Sequence, residues 1–228
     1  MSDLAVRTTG MSIGYEWAIC SDISFELQQG RSILVTGHNG TGKTTLLRTL
    51  FGLVPALQGE CELLGLNVRR ASAEKLIRAG VRFLGQGARS FDDLPLERSR
   101  EVLRKLYGFQ PDTAQSDAAK GHHLSARLGD LSIGQRRIEA LRLLKAGSPR
   151  LYLLDEPLAG VDVAQEDLVL NWIASEQGKR ASFIIAEHRF RRLLPVCDVT
   201  MVMRSGRIGF LGSSSELLNE QKAAEVLL

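Results

Sequence analysis

The segment Gly37-His38-Asn39-Gly40-Thr41-Gly42-Lys43-Thr44 fits the pattern G-x-x-x-x-G-K-[ST]. Glycines at these spacings let a loop fold tightly enough for successive backbone N–H groups to surround an anion. A helix opening directly after the loop aims its positive end at the same point. Gly37, Asn39, Gly40, Thr41, Gly42, Lys43, Thr44 and Thr45 are therefore candidates for holding β- and γ-phosphates. Lys43 brings a full charge and Thr44 a hydroxyl ligand for Mg2+.

A second cluster lies at Leu151-Tyr152-Leu153-Leu154-Asp155-Glu156-Pro157, where two adjacent carboxylates end an apolar run. Ligands of open α/β sheets collect at the carboxyl ends of strands. Asp155 is placed to hold Mg2+ through water, and Glu156 to polarise an attacking water as general base. A solvated Asp-Glu turn after a core strand is the plainer alternative. The phosphate loop taken alone leaves kinases, GTPases and motor ATPases open.

These groups require a strand before the loop and a helix after it. Residues 1–36 alternate apolar and polar positions (Ile23, Phe25, Leu27) and break at Gly10, Gly14 and Gly30, which predicts short antiparallel strands ending in the buried strand Ile33-Leu34-Val35. From residue 41 the pattern becomes a helix to about Gly52, a strand near Cys61–Leu64, a helix near Ala73–Ala79 and a strand at Val81–Leu84. Such alternation predicts a mostly parallel sheet with covering helices. Residues 91–127 are charged and small with Val102, Leu103 and Leu106 at helical spacing, a helical lobe interrupted by a polar loop over 110–121. A helix from about Ile133 to Ala146 leads into Leu151–Leu154, read as the central strand, and another strand follows at Phe183–Ile185. Val199–Met203 and Ile208–Leu211 form a hairpin, and helical residues close the chain. The expected fold is α/β, a P-loop NTPase core with a mostly parallel sheet. It carries an N-terminal antiparallel β subdomain over about 1–36 and an inserted helical subdomain over about 91–145, all in a single domain spanning 1–228.

Twenty-nine Lys and Arg against 26 Asp and Glu leave a net charge of +3, spread without a basic stripe, so no nucleic-acid partner is expected. Cys20, Cys61 and Cys197 are isolated and read as small core residues of a reducing compartment. The start Met1-Ser2-Asp3-Leu4-Ala5 lacks the features of a secretory leader, and the apolar runs fall far short of the roughly 20 residues of a membrane-spanning helix. His122 and His123 read as a solvated loop rather than a metal site. Arg189, Arg191 and Arg192 read as surface residues flanking a helix start.

Leu131-Ser132-Ile133-Gly134-Gln135, opening a helix upstream of the acidic strand, resembles the L-S-x-G-Q signature of ATP-binding-cassette (ABC) ATPases. The resemblance covers essentially the whole chain. It implies that Tyr15, with Trp17 as a substitute, stacks on adenine, that Gln86 is the Q-loop glutamine touching Mg2+ and the attacking water, that Asp162 belongs to the D-loop, and that His188 is the switch histidine. Two departures stand out: Ile133 replaces the commoner glycine, and the D-loop reads Ala-Gly-Val-Asp rather than Ser-Ala-Leu-Asp. A side chain at position 133 is expected to alter packing or turnover rather than abolish binding.

The resemblance further implies a head-to-tail pair in which the P-loop of one copy and Ser132, Gly134, Gln135 and Asp162 of the other enclose ATP with Mg2+. Catalysis would fall to Glu156, His188 and Gln86, and the metal to Thr44, Gln86 and Asp155. Repair and chromosome ATPases separate loop and signature by long coiled coils, and translation-type members carry two cassettes, whereas here Gly37 and Leu131 lie less than half the chain apart. A transporter ATPase at the cytoplasmic face of the membrane is therefore expected, working with a second ATPase subunit, integral membrane subunits and a solute-binding protein. Arg78–Phe91 and Asp155–Gly160 look like branched-chain amino-acid and urea importers; an exporter subunit or a soluble ABC ATPase is the alternative.

Overall fold

The computed structural model describes residues 3–86, 101, 131–145 and 147–218. The helical lobe expected over 91–127, with His122 and His123, lies outside those residues apart from Glu101, as does most of the closing helix.

Strands β1 (Leu4–Gly14) and β2 (Ala18–Gln28) pair antiparallel; β2 buries Ile23, Phe25 and Leu27 at alternate positions, and β1 buries the run Met11–Gly14. Their sheet runs β2-β1-β4-β5 and is completed by β4 (Gln58–Leu63) and β5 (Leu66–Asn67). The antiparallel region is thus not confined to residues 1–36. β4 buries Cys61 and Leu63 while Glu60 stays exposed, and a strand apolar on one face suits an antiparallel sheet better than a parallel one covered on both.

A second sheet has the order β10-β9-β3-β8-β7-β6. β3 (Ser32–Thr36), β6 (Val81–Leu84), β7 (Leu151–Asp155), β8 (Ser182–Ala186) and β9 (Val199–Arg204) run parallel, and β10 (Arg207–Ser213) returns antiparallel through the Ser205–Gly206 turn. Every residue of β3, β7 and β8 is buried. The central pair is β3 and β8; β7, expected at the centre, lies next to the edge strand β6.

Alternation along these strands divides two cores. Ile33, Val35, Leu151, Leu153, Ile184 and Ala186 face α1 (Lys43–Leu50), α2 (Ala73–Arg78) and the antiparallel sheet. Leu34, Tyr152, Leu154, Phe183 and Ile185 face α3 (Ile133–Leu144) and α4 (Val163–Gly178). Tyr152, Phe183 and Trp172 of α4 pack ring to ring at 4.8–5.8 Å, holding α4 against the sheet. The parallel strands consequently all end on one edge, where Gly37, Gln86, Asp155 and Glu187 each follow or close a strand.

Candidate functional site

The loop after β3 is pressed against β9. A Cβ added at Gly37, where φ is 140°, would stand 2.3 Å from the Met203 carbonyl oxygen, so only glycine fits. Lys43 opens α1, is 7% exposed, and donates to the carbonyls of Gly37 at 2.7 Å and His38 at 2.9 Å. Thr41 Oγ1 donates to the same His38 oxygen at 2.9 Å. Burial lowers the Lys43 pKa, and Glu156, Asp155 and Glu187 oppose that shift. The ammonium therefore sits where carboxylates already favour its charge. Asn39 and Gly40 are exposed on the loop, and Thr45 is buried on α1.

Thr44 Oγ1 donates to Asp155 Oδ1 at 3.1 Å, joining the loop to the end of β7. Asp155 is 1% exposed, and burial raises its pKa while the Thr44 hydrogen bond pulls the other way. Its second oxygen, Oδ2, is buried without a hydrogen-bond partner among the described residues. An orphaned carboxylate oxygen next to a threonine hydroxyl is the donor chemistry a hard divalent cation takes, so these residues fit Mg2+.

Glu156 turns the chain out of β7 with φ 50°, a left-handed conformation rare for a side-chain-bearing residue, and its N–H donates to Ala186 O at 2.8 Å. His188 Nδ1 stands 3.9 Å from Glu156 Oε1, so the two face each other across a gap longer than a hydrogen bond. Gln86 follows β6 on the same sheet edge and is exposed. Tyr15 is 57% exposed, and its hydroxyl accepts from Arg48 Nη1 of α1 at 3.3 Å, which ties the aromatic to the loop helix; Trp17 is 73% exposed.

Ser132 and Asp162 head helices. Ser132 accepts from Gln135 N at 3.2 Å while Gln135 Oε1 accepts from Ser132 N at 2.9 Å, and Asp162 and Gln165 are bonded likewise at 2.8 and 3.1 Å. Ser132 is exposed and Gly134 buried.

Three residues not expected from the sequence converge on the site. Glu187 is fully buried, and its carboxylate accepts from the N–H groups of Leu158 (3.3 Å), His188 (2.8 Å) and Arg189 (3.1 Å). Arg189, read as a surface residue, donates to Leu158 O and to Glu166 Oε1, both at 2.8 Å. Arg137 of α3 lies over Gly85, with Nη1 at 3.5 Å from its carbonyl; burial lowers its pKa against the attraction of Asp155, Glu156 and Glu187. Glu187 carries the same signal as Asp155, an acid directly after a continuous apolar strand. Arg137 and Arg189 carry none, because their partners lie far away in sequence.

Strand, phosphate loop and helix, with paired acids ending a parallel strand one removed from it in the same sheet, define a P-loop nucleotide hydrolase. Residues 20–159, more than half the chain, match the ABC transporter family model, and the protein belongs to that family as an ATP-binding, ATP-hydrolysing subunit. It is 33% identical to the cytochrome c biogenesis ATP-binding export protein CcmA 2 of Cupriavidus metallidurans, covering 82% of this chain and 89% of that one. It is 25% identical to the probable branched-chain amino acid transport ATP-binding protein LivF of Archaeoglobus fulgidus, covering 95% of each. A solved ATP-binding subunit of an ABC transporter superposes with TM-score 0.82 at 20% identity, over 97% of this chain and 99% of that one, a likeness of fold.

Proposed function

We propose that this subunit hydrolyses ATP with Mg2+ between its own P-loop and the signature of a second ATPase subunit, a copy or a paralogue, and so drives solute transport through separate integral membrane subunits. The observation that carries the reading is Asp155: one oxygen bonded to Thr44, the other buried and unpaired, with Glu156 and His188 directly beyond it.

Gly37, Asn39, Gly40, Thr41, Gly42 and Thr45 shape the phosphate cradle, Lys43 pairs with the β- and γ-phosphates, and Tyr15 stacks on adenine. Thr44, Asp155 and Gln86 would hold Mg2+, which supplies charge to neutralise the phosphate oxygens. Glu156 takes a proton from the water that attacks the γ-phosphorus as the bond to the β-phosphate oxygen breaks. His188 and Gln86 orient that water and the γ-phosphate. In the pair, Ser132, Gly134, Gln135 and Asp162 of the second subunit close over the nucleotide and exclude bulk water.

The finer reading is an importer of amino-acid-like solutes, acting with a solute-binding protein at the cytoplasmic face of the membrane. Near-full-length likeness to the LivF relative supports it. Export is the second reading, favoured by the higher identity to the CcmA 2 relative. Flux assays in vesicles carrying the membrane subunits separate the two by the side on which solute accumulates.

Glu156→Gln tests the site. It is expected to bind ATP as tightly as the parent and to pair stably with ATP while turnover falls about 10²- to 10⁴-fold. Unimpaired hydrolysis would remove Glu156 from the role of base.

A further inference from the structure

The two departures from the family's usual signature and D-loop meet in space. Gly160, in the loop from β7 into α4, has φ 73°, and a Cβ added there would stand 2.5 Å from Ile133 Cγ2 and 3.4 Å from Ile133 Cβ. Ile133 is the first residue of α3. One position on, a Cβ added at Gly134 would stand 2.0 Å from Gln165 Oε1, in the first turn of α4. The contact is reciprocal. A side chain from α3 fills the space over a glycine of the α4 loop, and a side chain from α4 fills the space over a glycine of α3. Gln165 is held in place by its own bond to the N–H of Asp162.

The isoleucine side chain at position 133 therefore occupies the volume that an alanine methyl at position 160 would need. We propose that Ile133 and Gly160 are a matched positioning pair that locks the start of the signature helix to the D-loop, so that neither residue can take the commoner family type alone without disturbing turnover. The proposal rests on the signature and D-loop reading given above. The route to the reacting end is short: Leu158, at the head of the same loop, is bonded through its N–H to Glu187 and through its carbonyl to Arg189, the residues that flank His188. A shift at Gly160 is delivered to both.

The test is a cycle of four full-length proteins: the parent, Ile133→Gly, Gly160→Ala, and the double variant. Melting temperature and the kcat and KM for ATP are measured for each. Gly160→Ala is expected to lower both melting temperature and kcat with little change in KM, because the nucleotide is held elsewhere. Ile133→Gly is expected to lower kcat in the parent and to raise it in the Gly160→Ala background, a departure from multiplicative behaviour of at least about threefold. Recovery stays partial, since alanine is strained at φ 73° whatever its neighbour. If Ile133→Gly changes melting temperature by the same amount in both backgrounds, the packing pair is refuted. If only kcat is multiplicative, the claim on turnover is refuted. Ser132→Ala keeps the two levels apart: unchanged hydrolysis in that variant rejects the signature reading, while the melting cycle still decides whether the pair exists.

Discussion

Glu156 is held in a backbone conformation that costs a non-glycine residue about 1–2 kcal/mol, and it keeps that conformation because its N–H is fastened to Ala186. Strain of this kind persists where the surrounding structure overrides local preference. Glu156→Gly is expected to abolish hydrolysis and yet to stabilise the nucleotide-free protein by about 1 kcal/mol, raising the melting temperature by about 2–4 °C. Calorimetry beside an ATPase assay checks it, and a lower melting temperature would argue against stored strain. The charge balance is similarly local. Asp155, Glu156 and Glu187 act on Lys43 and Arg137, and each cation's pKa is lowered by burial but supported by the acids. A triphosphate adds further negative charge to this cluster, which is why an orphaned Asp155 oxygen matters: it is where added positive charge can be held.

Neighbouring elements are fixed by polar ties at the opposite edge of the parallel sheet. Asp198, just before β9, accepts from Arg31 Nη1 at 2.7 Å, from Ser32 N at 2.9 Å and from Ser32 Oγ at 2.8 Å, pinning the starts of β3 and β9 together. Burial alone would raise the Asp198 pKa, but the hydrogen bonds from Ser32 and Arg31 outweigh it and leave it lowered. A lowered carboxyl stabilises the fold fully at pH above its ordinary value. The unfolded chain takes up the proton first as pH falls, and the contribution is gone once pH has passed the lowered value. Asp198→Ala is therefore expected to cost about 2 kcal/mol near pH 7, and the gap to the parent should narrow steadily below about pH 4. Melting curves across that range test the sign; a gap that widened in acid would contradict it. Polar ties also join elements at the site edge, where Arg189 and Glu187 link the end of β8 to the loop that opens α4.

The described residues form a mostly parallel sheet covered on one face by α1, α2 and the antiparallel sheet and on the other by α3 and α4, with the candidate reacting groups on one edge. Among the described residues no helix is long and apolar enough to cross a membrane. On the proposed reading, the path for solute is supplied by separate integral membrane subunits. Tagged protein purified in mild detergent from its native membranes is expected to bring down one or two multi-helix membrane proteins in stoichiometric amount, identified by mass spectrometry. Recovery of water-soluble partners alone would leave the ATPase chemistry standing and remove the transport role.

The phosphate loop, the acidic strand end and the signature are readable as contiguous motifs, because each is a short segment whose residue types declare its chemistry, whereas the conformations of Gly37 and Glu156 depend on Met203 and Ala186, far away in the chain. The buried strands were legible for a related reason: a run such as Ser182–Ala186, apolar on both faces, fits only a covered sheet. Which sheet β4 joins, and that β7 stands beside the edge, follow from pairing between strands far apart in the chain. The same is true of Glu187 meeting Leu158, Arg137 lying over Gly85 and Ile133 filling the space above Gly160. Each of those contacts joins residues whose separate local patterns say nothing of the partner, so the packed tertiary structure alone decides them.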